Sequence, residues 1–472
     1  MRLYSKLNFE DDMKNWLPLL FIVSSLSLTS CGDSPKGQND SELNNSKITL
    51  NPYEDISYPS TLNLAELTDV PTEINLREKM TPIKRQDARG TCSFFATIAL
   101  FESAIKTQMK VDVNLSEEYL NYVTKSTGYF SSEEGSFPDV NVYAMIKSKS
   151  GLLLESDWPY QPIWFGNKVP CLDALPSDKN APKECFSHNA PSEKIKEKTI
   201  SLENFEGTVF EPKTTNELIR EIATSQLPMT INLPVNERGW SKDGQVVYTN
   251  SMREECLSSP SVCGRHAVVV TGYNLKKKVF YIRNSWGSDW GDAGYGEVSF
   301  DMVDRFAERN YVKIWLTKDI DLPEARDNTI SINQFEVKNS FDASTDLVVE
   351  VKSNLDNVNS HTIAYATSIV ELKEGSTVAS DETTKMVELT DDEAIELQNN
   401  RISASELKFV SEDQSSLNSD LKLKITKKQL GVETLRNKIK TNASKLFLRT
   451  TVYNYTDNEA FKVLKRVYTP VF

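Results

Sequence analysis

The sequence predicts an α+β unit followed by a β-sandwich-like unit. Three observations carry that expectation. Residues 92–110 contain neither Gly nor Pro, and Phe94, Phe95, Ile98, Phe101, Ala104 and Ile105 supply one broad apolar helical face. Further on, short β-branched and aromatic runs at 267–271 and 280–283 alternate with glycine-rich turns, the pattern of short strands. Beyond residue 330, the runs 347–351, 362–366, 421–425 and 446–453 alternate apolar and polar residues. That is the period of half-buried antiparallel strands, and hence of a β-sandwich. A helix over about 427–440 is expected to interrupt it.

Length and charge bound the function. A chain of 472 residues is long enough for two or three domains. Its formal net charge of −13 argues against a nucleic-acid partner, which needs a basic surface to neutralise phosphates. The six cysteines are too few to scaffold so long a chain. The three histidines, His188, His266 and His361, with no HExxH and no paired CxxC, imply neither a metal nor another cofactor. His361 stands alone and is expected to be structural.

The first residues read as an address. Residues 16–28 form an apolar run of signal-peptide length, too short for a comfortable bilayer crossing. It ends in Leu28, Thr29, Ser30 and Cys31, which resembles a bacterial lipobox. That resemblance implies lipidation at Cys31 and a chain anchored at the bacterial cell envelope, at the outer membrane or cell surface. Glu10, Asp11 and Asp12 do not suit a positive signal start, so translation from Met13 is the expectation. Residues 1–31 are then the signal, and the polar stretch 32–66 a flexible tether. A first domain spans 67–318, a charged linker 319–329 and a β-rich domain 330–472. Export implies an oxidising compartment.

Cys92 opens the predicted helix. A helix N-terminus stabilises an anion, so a thiolate there gains the help that an ordinary thiol lacks near neutrality. Gln86 lies six residues upstream across a turn containing Gly90. Its amide can donate to the oxyanion formed when Cys92 attacks a carbonyl, with the Cys92 backbone N–H as second donor. A buried core cysteine is the other reading of this segment. His266 begins a β-branched strand, and Asn284 ends the next. A connection at 274–278 makes the two strands a hairpin, which brings His266 and Asn284 together at one edge. His266 then serves as base and Asn284 orients its ring, with Trp286 covering their hydrogen bond.

These three blocks resemble the papain-like cysteine peptidases. Gln86, then Gly90-Thr91-Cys92-Ser93, stand where that family has a glutamine and the Gly-Ser-Cys-Trp head of its central helix. The run from Asn284 through Trp286, Trp290 and Gly291 to Gly296 is very like the family's asparagine signature. The resemblance covers residues 67–318. It implies a two-lobed fold, a helical lobe beside a β-barrel-like lobe, and a thiol-dependent endopeptidase acting on protein or peptide substrates. It also implies substrate contacts from Ser136 and Phe137, where the family has a Gly-Gly-aromatic-Pro element. Ser93 departs from the usual aromatic, and Arg89 replaces a cysteine that forms a disulfide in the family. The 174 residues from Cys92 to His266 exceed the roughly 130–150 of the family, and the excess is expected in 158–200 and 250–263. Those insertions hold Cys171, Cys185, Cys256 and Cys263, expected to pair 171–185 and 256–263. The family's long inhibitory propeptide has no counterpart between Cys31 and Pro71. Two other readings stay open, an amidase or transpeptidase with the same residues, and a non-catalytic binding lipoprotein. The last predicts loss of Gln86, Cys92, His266 or Asn284, all of which are present.

Overall fold

A computed structural model describes residues 56–471, apart from 88, 132–133, 162–184, 188–189, 237, 260–262, 326–328, 343–345, 359–360, 372–402, 411–413, 427–445 and 455–461. Cys31, Cys171, His188, Met13 and the helix expected near 427–440 lie outside the described residues. The chain divides into two compact units, one ending at Arg326 and the other beginning at Asp327.

The first unit is built on α1 (Cys92–Met109), an 18-residue helix. No residue in it breaks a helix, and it stops where Lys110 takes a left-handed conformation with φ 61°. Every residue from Cys92 to Ile105 is buried, polar ones included. Two further helices pack beside it, α2 (Glu117–Ser126) and α3 (Pro138–Ser148). Ser116 caps α2 by accepting the Tyr119 N–H at 2.9 Å. Helix α3 starts with Pro138 in its first turn, where a missing N–H costs nothing. The remaining helices are α4 (Glu193–Lys196), α5 (Thr215–Ser225), α6 (Asn250–Ser258) and α7 (Phe300–Phe306).

Eight strands belong to this unit: β1 (Glu73–Asn75), β2 (Phe205–Phe210), β3 (Met229–Asn236), β4 (Gln245–Val246), β5 (Cys263–Asn274), β6 (Val279–Arg283), β7 (Tyr295–Ser299) and β8 (Tyr311–Leu316). β5 is the spine of the sheet and is buried along its whole length. β3 pairs with its residues 263–270, β1 with 272–274 and β6 with 269–274, so β6 leaves His266 and Ala267 uncovered on one edge. Gly272 marks the step in register, and a Cβ there would stand 2.0 Å from the Ile74 carbonyl oxygen. The β5–β6 connection is the expected hairpin, with the Asn274 Oδ1 accepting from Lys276 and Lys277 N–H. The expected insertion at 250–263 contains α6, closed onto β5 by a disulfide between Cys256 and Cys263.

Among the described residues the second unit is all β. One sheet holds β9 (Ser331–Phe341), β10 (Leu347–Asp356) and β13 (Ser416–Ile425); the other holds β11 (Thr362–Glu371), β12 (Ser403–Phe409), β14 (Leu446–Asn454) and β15 (Lys462–Pro470). Their inward residues share one core, including Leu347, Val349, Val351, Ile363, Leu423 and Leu448. The outward face of β10 and β13 carries ion pairs, Lys352 with Asp420 and Glu350 with Lys422. His361 is buried within this unit, 6% exposed. Within the segment expected as linker, Ile320 and Leu322 pack on the core of the first unit.

One feature of the first unit is electrostatic. Lys84 Nζ lies 2.8 Å from both Glu102 and Glu117 and donates to the Leu115 carbonyl, with all three charged side chains buried. Glu102, in the middle of α1, also accepts from Thr81 and from the Leu115 N–H. Replacing Lys84 with Met strands two buried carboxylates. The expected loss of stability in urea denaturation is about 3–5 kcal/mol, and a change under about 1 kcal/mol would refute this role for the pair.

Candidate active site

Cys92 is the first residue of α1 and is completely buried. Its Sγ accepts the Ala267 backbone N–H at 3.2 Å, on the part of β5 that β6 leaves uncovered. Helix start and histidine strand therefore meet at one point. His266, 3% exposed, places Nε2 2.7 Å from the Asn284 Oδ1. The orientation of that amide is fixed by a second contact, because the Ser285 backbone N–H donates to the same Oδ1 at 2.8 Å. An oxygen that already accepts from Ser285 must also accept from the ring, so Nε2 carries the hydrogen. The lone pair is then on Nδ1, which is the nitrogen left to act as base.

Aromatic rings close the site. Trp286 stacks on the imidazole with centroids 4.7 Å apart, as its place two residues after Asn284 predicts. Trp240 meets the same ring edge-on at 5.0 Å, anchored by its indole N–H to the Pro234 carbonyl. Trp290 completes the cluster against both tryptophans. Trp240 was not singled out from the sequence. It sits in a segment without a motif, 44 residues before Asn284, and only the fold brings it to His266. Burial in this apolar box pulls the His266 pKa down to about 4, against the hydrogen bond from Asn284, which raises it.

Gln86 is 3% exposed and tied at both ends of its amide. Ser285 Oγ donates to Oε1 at 2.7 Å, and Nε2 donates to the Arg89 carbonyl at 2.8 Å. One amide hydrogen is engaged by Arg89, and the NH₂ carries a second for an oxyanion. The loop is held as well, with Gln86 N–H on the Ser285 carbonyl and the Tyr160 hydroxyl on the Gln86 carbonyl. Ser285 thus serves Asn284 and Gln86 together, a role its sequence position alone does not reveal. Ser136 and Phe137 lie on the loop before α3 and are buried, with Phe137 packed edge-on against Phe130 at 5.5 Å. Ser93 is fully buried and its hydroxyl has no hydrogen-bond partner.

The oxidation state differs from a free nucleophile. Cys92, Cys185, Cys256 and Cys263 are all disulfide-bonded, and no cysteine is free among the described residues. The pairing of Cys185 with Cys171 cannot be read, because Cys171 lies outside the described residues.

Comparison with known proteins places this geometry. The model of the papain family cysteine proteases matches residues 70–310. The senescence-specific cysteine protease SAG12 of Arabidopsis thaliana is 26% identical over 241 residues, covering 50% of this chain and 58% of that protein. The germination-specific cysteine protease 1 of the same plant is 29% identical over 234 residues, covering 48% of this chain and 51% of that one. The chain thus spans little more than half the length of these relatives. Among solved structures, xylellain, a cysteine protease from Xylella fastidiosa, aligns with 57% of this chain and 92% of its own at 19% identity and a TM-score of 0.39.

The two oxidation states differ in what His266 feels. Burial outweighs the hydrogen bond to Asn284, so His266 stays neutral down to about pH 4. Reduction creates a thiolate that favours the imidazolium and raises the apparent pKa of the pair. Ring-nitrogen NMR titration is expected to show that rise on reduction. An unchanged titration would mean that sulfur and ring are not coupled.

Proposed function

Since the chain belongs to the papain family of cysteine proteases, we propose that it is a thiol-dependent endopeptidase working through Cys92, His266 and Asn284. The observation that carries this reading is the double use of Asn284 Oδ1 by Ser285 N–H and His266 Nε2, which leaves Nδ1 as the base beside the Cys92 strand contact.

The chemistry follows from those atoms. Once Cys92 is reduced, its proton passes to Nδ1 and the thiolate attacks the scissile carbonyl carbon. The carbonyl π pair becomes an oxyanion, held by a Gln86 Nε2–H and the Cys92 backbone N–H, which as a first-turn donor has no intrahelical acceptor. Collapse of the tetrahedral species breaks the C–N bond, and the Nδ1 proton goes to the departing amine. Water then attacks the thioester with Nδ1 again as base, releasing the acid and the thiol. Asn284 holds the ring in place through both transfers. The aromatic box excludes water, which strengthens that hydrogen bond. Substrate main chain is placed along the loop of Ser136 and Phe137, in the manner of an added strand.

Cellular placement is part of the proposal. Cys31, in its lipobox-like setting, would carry a lipid, and residues 32–66 would tether the enzyme to the envelope. Radiolabelled fatty acid incorporated by the full chain, and lost in Cys31→Ala, is the expected result; equal labelling of both would rule this anchor out.

The peptidase reading makes a graded prediction. With reductant present, the full chain should cleave a mixed peptide library, and Cys92→Ala should not. Gln86→Ala should retain KM and lose about 10²–10³ in kcat, the usual cost of one oxyanion donor. Without reductant the wild type should be silent. Cleavage by reduced Cys92→Ala would overturn the assignment.

A further inference from the structure

Two loops must keep their spacing for such a site to work, the oxyanion loop ending at Cys92 and the loop of Ser136 and Phe137. In the family a disulfide starts from the position that Arg89 occupies here. Arg89 is buried, with its side chain 1% exposed, and is surrounded by acceptors. Its Nε donates to Glu134 Oε1 at 2.5 Å and its Nη1 to Glu118 Oε2 at 2.7 Å. The same guanidinium reaches the backbone carbonyls of Gln161 and Phe186. Its own carbonyl holds Gln86 Nε2 at 2.8 Å. One residue therefore touches the oxyanion donor with its backbone and the substrate-side loop with its side chain.

We propose that Arg89 is a positioning residue, an ionic clamp that fixes the oxyanion loop against the Glu134–Phe137 loop. This rests on the peptidase reading above. The fork of a guanidinium suits the task, since it can satisfy two carboxylates and two carbonyls from one plane, which an ammonium cannot. Burial opposes its charge, but Glu118 and Glu134 outweigh that and hold the proton more tightly than usual. A second buried cation supports the same loop from beneath, with Lys125 Nζ donating to the Phe130 and Gly135 carbonyls at 3.1 and 3.2 Å.

The test compares wild type, Glu134→Gln and Arg89→Lys as full chains under reductant. Amide hydrogen exchange at 134–137 and steady-state kinetics on one peptide are read side by side. Glu134→Gln should speed exchange at 134–137 and raise KM, each by about tenfold, with kcat within about twofold. Arg89→Lys should also lower kcat, because a loop freed of its guanidinium ties shifts the backbone carbonyl that holds Gln86. Native exchange and unchanged KM in Glu134→Gln would overturn the clamp. Exchange reads the loop whether or not peptide is cut, so an inactive wild type with faster exchange in Glu134→Gln sinks the peptidase reading alone. Should Arg89→Lys fail to fold, Glu134→Gln decides.

Discussion

β6 stops pairing with β5 at the Val269–Arg283 step, and the rest of the active unit is arranged around the gap this leaves. An uncovered strand edge exposes N–H donors that burial cannot tolerate unpaired. Here the Ala267 N–H is taken by Cys92 Sγ, so the first turn of the catalytic helix fills the place of missing strand. On that edge His266 has no β6 neighbour, and its ring meets Asn284, which follows directly on β6.

Burying a helix so completely has an electrostatic consequence. α1 carries Glu102 into the interior, and the loops around it carry Lys84 and Arg89. None of these charges can be stranded in a low-dielectric core, so each is matched, Lys84 with Glu102 and Glu117, Arg89 with Glu118 and Glu134. Glu117 and Glu118, adjacent on α2, face the two cations separately. Ion pairing thereby sets the placement of α2, of the oxyanion loop and of the substrate-side loop.

Much of this was legible in the sequence because it is written locally. The uninterrupted run after Cys92 gives α1, the β-branched run after His266 gives β5, and the alternation at 347–351 and 421–425 gives two paired strands of the second unit. Gln86, Cys92, His266, Asn284 and Trp286 announced themselves through short motifs. Contacts between distant segments were not legible. Trp240 joins the histidine box from a segment with no motif, and Ser285 looks like filler until its two acceptors are seen. The partners of Arg89 lie 29 and 45 residues away, and no local pattern pairs them.

The central claim is that His266 activates Cys92. The most direct test is the rate of Cys92 alkylation by iodoacetamide against pH, read at the peptide level on the reduced full chain and on His266→Ala. An activated pair keeps the wild type reactive far below the free-thiol pKa of about 8.5, while the variant follows the ordinary thiol curve. A wild-type curve that coincides with the variant's, on folded protein, would contradict the account.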